Sequence, residues 1–90
     1  MIRAVRVSLS ARGNTVISYR LAAAARVRLT VFDVRGRRVA TLVDGPVEAG
    51  RHDVTWNGRA AEGGAAPPGL YMVRLEGAGA TTSAKLILAR

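Results

Sequence analysis

Cysteine is absent from the ninety residues, so neither a disulfide nor a thiolate metal site contributes to the fold. The compartment stays open, because many exported domains also lack cysteine. Aromatics are scarce. Tyr19, Phe32, Trp56 and Tyr71 are the whole set, and at least three fall at core-facing strand positions, which argues against an exposed base-stacking platform. Long apolar runs are missing too. Arginines interrupt the chain throughout, leaving no stretch of the roughly 20 apolar residues that a membrane-spanning helix needs. The opening Met1-Ile2-Arg3-Ala4-Val5-Arg6-Val7 alternates charged and apolar residues and holds no signal-peptide core. The expectation is that the chain cannot export itself and, if exported, travels as part of something larger.

Acidic residues number six against fourteen basic ones, a formal charge of +8. Such a surface attracts phosphate. However, every basic residue except Lys85 is arginine, and alanine and glycine are also abundant, a bias expected from GC-rich coding as much as from phosphate contacts. The arginines also spread from Arg3 to Arg90. Their densest group, Arg35, Arg37 and Arg38 around Gly36, reads as a solvated hairpin tip. An arginine-rich nucleic-acid-binding domain therefore remains only an alternative, recognisable by binding that falls steeply with salt.

What the chain does contain is alternation. Seven strands are predicted near residues 3–9, 15–21, 26–33, 38–43, 51–56, 70–76 and 82–89. Val5, Val7 and Leu9 share one face of the first. Ile17, Tyr19 and Leu21 share the inner face of the second. In the third, Val27, Leu29 and Val31 alternate with Arg26, Arg28 and Thr30. His52, Val54 and Trp56 share a face of the fifth, Tyr71, Val73 and Leu75 of the sixth, and Ala84, Leu86 and Leu88 of the last. Turns are expected at 11–14, at Asp33-Val34-Arg35-Gly36 and at Gly77-Ala78-Gly79, with a bend through the alanines at 22–25. Asp44-Gly45-Pro46 is expected to end the fourth strand, because proline offers no amide hydrogen to a ladder. Residues 57–69 form a loop closing on Pro67-Pro68-Gly69. The pattern is that of a small all-β antiparallel sandwich.

Catalytic and metal chemistry find little support. His52 adjoins Asp53, but neighbouring strand residues point to opposite faces and cannot form a relay. Asp33, Asp44, Asp53 and Glu62 are scattered and show no calcium-loop spacing. The glycines at 58, 63, 64 and 69 do not lead a strand into a phosphate-binding helix. Trp56 and Tyr71 read as core aromatics, the tyrosine hydroxyl reaching a backbone partner. No enzyme activity, metal or cofactor is expected.

The order Leu29-Thr30-Val31-Phe32-Asp33, Gly36-Arg37-Arg38-Val39, Ala49-Gly50, Val54-Thr55-Trp56-Asn57-Gly58, Gly69-Leu70-Tyr71 and the closing Lys85 resembles the immunoglobulin-like domain named from the flagellar hook-capping protein FlgD. It is equally similar to the C-terminal sorting domains of the type IX secretion system. Residues 14–90 carry the resemblance, and 1–13 are expected to be a leading strand and turn, the remnant of a longer chain. Position 57 is Asn where the family commonly has Asp, and Gly13-Asn14 stands where an Asn-Pro pair is usual. The structural motif so marked comprises Gly36, Gly50, Trp56, Asn57, Gly58, Gly69 and Tyr71.

The resemblance implies a non-catalytic C-terminal sorting or anchoring module. It would follow a passenger domain, meet a secretion translocon, and reach the cell surface or medium through the periplasm. The alternative it implies is a scaffold domain for flagellar hook assembly, with hook components as partners. Recognition is expected through the last strand, added edge-on to a partner sheet, with Lys85 and Arg90 as charged marks. Equally, that strand merely closes the sandwich, with Lys85 keeping its edge soluble.

Overall fold

A computed structural model describes residues 2–9, 15–61, 63–77 and 79–88; of β1 it describes the backbone alone. The turn expected at 11–14, the inward assignment of Val5, Val7 and Leu9, and Glu62, Ala78, Ala89 and Arg90 lie outside the described residues. Seven strands follow one another: β1 (Ile2–Leu9), β2 (Thr15–Leu21), β3 (Ala25–Asp33), β4 (Arg38–Val47), β5 (Gly50–Trp56), β6 (Gly69–Gly77) and β7 (Ala80–Leu88). They form two antiparallel sheets, one ordered β1-β2-β5 and the other β4-β3-β6-β7. The chain changes sheet after β2, after β4 and after β5, giving an immunoglobulin-like sandwich in which the fourth strand sides with the third.

Period-two alternation explains the core. Ile17, Tyr19 and Leu21 of β2, Val27, Leu29 and Val31 of β3, Tyr71, Val73 and Leu75 of β6, and Leu86 and Leu88 of β7 are all buried. Trp56 closes the end of β5, and Ala40 and Ala66 fill in beside them. Leu29 lies at the centre, with Val43 opposite on β4 and Leu75 opposite on β6. Burial of this aliphatic layer supplies most of the driving force for folding.

Two sequence readings are corrected. Asp44-Gly45-Pro46 does not end β4: these residues stand opposite Arg28, Val27 and Arg26, and pairing runs on to Val47. β4 is the edge of its sheet, where alternate amides face away from the ladder and a proline is tolerated. Thr30, expected outside, is buried. It lies mid-sheet on the central strand β3, flanked in register by Thr41 and Arg74, whose neighbourhood removes it from water.

Gly77 ends β6 opposite Val27 and Ala80. A Cβ there would lie 2.7 Å from Val27 Cγ1 and 2.8 Å from the Arg26 carbonyl oxygen, so the backbone of β3 must shift to admit it. Gly77→Ala is expected to lower stability by about 1–3 kcal/mol in urea unfolding. Gly45→Ala, where a Cβ meets nothing within 4 Å, should stay within about 0.5 kcal/mol of the parent.

Candidate protein interaction surface

The motif residues of the β5–β6 connection meet at one corner of the sandwich. Trp56 is buried, donates its indole N–H to the Arg59 carbonyl at 2.9 Å, and packs edge-on against Tyr71 with ring centroids 5.4 Å apart. The Tyr71 hydroxyl donates to the Pro67 carbonyl four residues upstream, the tyrosine-corner arrangement that fixes a crossing chain at the start of its strand. Asn57 Oδ1 accepts the Arg59 amide at 3.0 Å, and the Gly58 carbonyl accepts the Ala66 amide at 2.8 Å. Gly58, at φ 77°, occupies the left-handed region the turn requires. An amide oxygen serves this turn as well as a carboxylate would, so Asn at position 57 preserves the geometry. Trp56, Asn57, Gly58 and Tyr71 thus meet at this corner, and Gly69 opens β6 two positions before Tyr71. Gly36 stands at the β3–β4 turn and Gly50 at the start of β5.

The β3–β4 hairpin rises beside that corner. Asp33 Oδ1 accepts the amides of Arg35 and Arg37, each at 2.9 Å, and Oδ2 accepts Arg37 Nε at 3.0 Å. The Arg37 amide, with help from its guanidinium and the Arg35 amide, holds the carboxyl below its ordinary value of 3.8. A carboxyl lowered on folding stabilises the folded state fully above its unfolded pKa, and that contribution is lost as pH falls through the lowered value. The Arg35 and Arg37 amides should therefore lose protection against exchange, relative to their intrinsic rates at the same pH, as the Asp33 carboxyl protonates. An NMR titration should place the Asp33 midpoint below 3.8, and Asp33→Asn should remove the acid-induced change.

An open cleft of about 630 Å³ lies between this hairpin and the 57–68 loop. Tyr71 and Ala66 line its floor, Arg35, Arg37, Arg38, Val34 and Val39 one wall, and Pro67, Pro68 and Leu70 the other. The Ala61 amide donates to the Val39 carbonyl at 2.8 Å and ties the loop to β4. Among the described residues, Arg35 and Arg38 form no ion pair, whereas Arg37 is held by Asp33. Sequence reasoning missed this cleft because its walls come from segments distant along the chain. The one available signal was Val34 and Leu70, apolar residues out of phase with the inward alternation.

Elsewhere several polar groups are held locally, but the buried Thr15 and Thr30 hydroxyls have no hydrogen-bond partner among the described residues. The His52 ring meets the Glu48 carbonyl at 2.8 Å and stacks on Tyr19, while Asp53 on the opposite face accepts the Ser18 hydroxyl at 2.7 Å. Asp44 lies 3.8 Å from Arg28 Nε. Among the described residues no three His, Cys, Asp or Glu side chains gather as a metal site. Tyr19, Trp56 and Tyr71 are buried, and Phe32 is half-buried beneath the Arg74 guanidinium, 4.4 Å from the ring centre. β7 forms an edge of the four-stranded sheet, with Lys85 and Ile87 exposed.

Residues 5–81 match the family model described as FlgD Ig-like domain. Among solved structures, the chain is similar to the crystal structure of FlgD from P. aeruginosa, with a TM-score of 0.68 and 24% identity. The alignment covers 89% of this chain and 64% of that one, so the chain spans just under two thirds of that protein's length. No curated protein matches the chain.

Proposed function

Because the chain belongs to the FlgD Ig-like domain family, we propose that it acts as the structural, non-catalytic module of a longer exported protein, most specifically as a scaffold domain in flagellar hook assembly. Residues 14–90 form the module in this reading, and 1–13 lead into it. The carrying observation is the family match over 5–81. What supports the reading in the structure is a corner tied by the Trp56 and Tyr71 hydrogen bonds and an open cleft beside it with room for a side chain of another chain. A scaffold needs a fixed shape and a docking surface, both compatible with a sandwich built on a continuous aliphatic core. No described helix is long and apolar enough to cross a membrane.

One observation favours a second reading, that of a C-terminal sorting module. β7 lies at a sheet edge, where a partner strand can add, and carries Lys85 outward. Peptide mapping of the native product in hook, envelope and medium fractions separates the two. Upstream peptides continuous with this domain in purified hooks support the scaffold. Loss of the domain from an otherwise surface-bound or secreted product supports sorting. A free ninety-residue protein in the cytoplasm defeats both, and salt-sensitive nucleic-acid binding would then become the reading to pursue.

A further inference from the structure

The large apolar side chains that stand well exposed among the described residues, Val34, Leu70 and Ile87, gather at one end of the four-stranded sheet. Leu70 and Ile87 face each other across the β6–β7 ladder, and Val34 and Leu70 both line the cleft. Among the described residues, the charges around them that are not already paired are positive. Arg35 and Arg38 stand on the cleft wall and Lys85 projects from β7 two positions before Ile87. The carboxylate of Asp33, also at the cleft, is already engaged by Arg37 and two hairpin amides. The remaining described acids are elsewhere: Asp44 and Glu76 flank Arg28 toward the other end of the sheet, Glu48 lies in the β4–β5 connection, and Asp53 lies on the other sheet.

We infer that this cleft and its apolar rim dock an acidic, extended polypeptide segment bearing an aliphatic or aromatic anchor. Charge complementarity selects the acidic partner: two unpaired guanidiniums beside exposed aliphatic surface favour carboxylates flanking an apolar side chain. Concavity selects a peptide over a bilayer. A space of about 630 Å³ floored by Tyr71 and Ala66 receives a side chain, whereas a flat lipid surface would leave it unfilled. Nucleic acid lacks a stacking partner, since Phe32 lies under Arg74 and the other aromatics are buried. The inference rests on reading the domain as a docking module, whichever assembly it serves.

The test is to pan a random peptide display library against the intact chain, then measure one enriched peptide by fluorescence anisotropy. Enriched clones should carry Asp or Glu around an apolar residue. Arg35→Glu combined with Arg38→Glu should weaken binding about tenfold or more, and Leu70→Ser should weaken it comparably. Arg51→Glu, on the other sheet, should change it little, and circular dichroism should show every variant folded. Failure to enrich acidic clones overturns the inference. So does equal binding by the double variant, or an equal loss in Arg51→Glu, which would reduce the effect to net charge. Co-sedimentation with phosphatidylglycerol vesicles that depends on Val34 and Leu70, without peptide enrichment, would overturn it in favour of a membrane surface. Acidic-peptide binding by a protein found free in the cytoplasm would sustain the inference while defeating the proposed function.

Discussion

Replacing Trp56 with alanine is expected to remove about 3–5 kcal/mol of stability, measured by urea unfolding followed by far-ultraviolet circular dichroism. The indole is 1% exposed and closes the end of the core. Its removal abandons the edge-on contact with Tyr71 and the hydrogen bond to the Arg59 carbonyl, and opens a cavity that the sandwich can only partly collapse. Because Arg59 belongs to the 57–68 loop, the damage should spread: the loop loses its anchor, and the wall of the cleft loosens with it. A near-neutral result would show that the indole does not lie in the core.

Leu29→Ala should cost about 2–5 kcal/mol in the same measurement. Leu29 is fully buried on a central strand, between Val43 on one neighbour and Leu75 on the other. Strands paired on both sides cannot move inward independently, so little of the vacated volume can be reclaimed. Leu70→Ala supplies the contrast. That leucine is 43% exposed, and its truncation should change stability by about 0.5 kcal/mol or less. Equal losses at the two positions would mean that the pattern of burial described above is wrong.

These expectations show what was legible in the sequence. β2, β3 and β6 could be read directly, because each buries one face and alternation then leaves a period-two signature. Pairing partners were less visible. Pro46 looked like a terminator because its acceptability depends on β4 being an edge, a fact set by which sheet the fourth strand joins. Thr30 looked external because local alternation says nothing about whether neighbouring strands cover an outer face. The corner was half legible: Trp56 and Tyr71 stood out by type, and a backbone partner for the tyrosine was expected, but Pro67 as that partner was not. The cleft left only the out-of-phase Val34 and Leu70 as a trace, since Arg35 and Leu70 become neighbours only after β3 and β6 pair.

The strand order also governs when the chain can fold. Ile17 must find Val54, and Val31 must find Val73, so neither sheet can be completed from an early part of the sequence. Pairings this distant along the chain are reached slowly, on the order of milliseconds to seconds. Until β5, β6 and β7 are available a nascent copy therefore has only the β1–β2 and β3–β4 hairpins to form, and with no cysteine it needs no oxidant to finish. Closure of the two sheets waits for β5 and β7 respectively, and that order of completion is what this topology imposes.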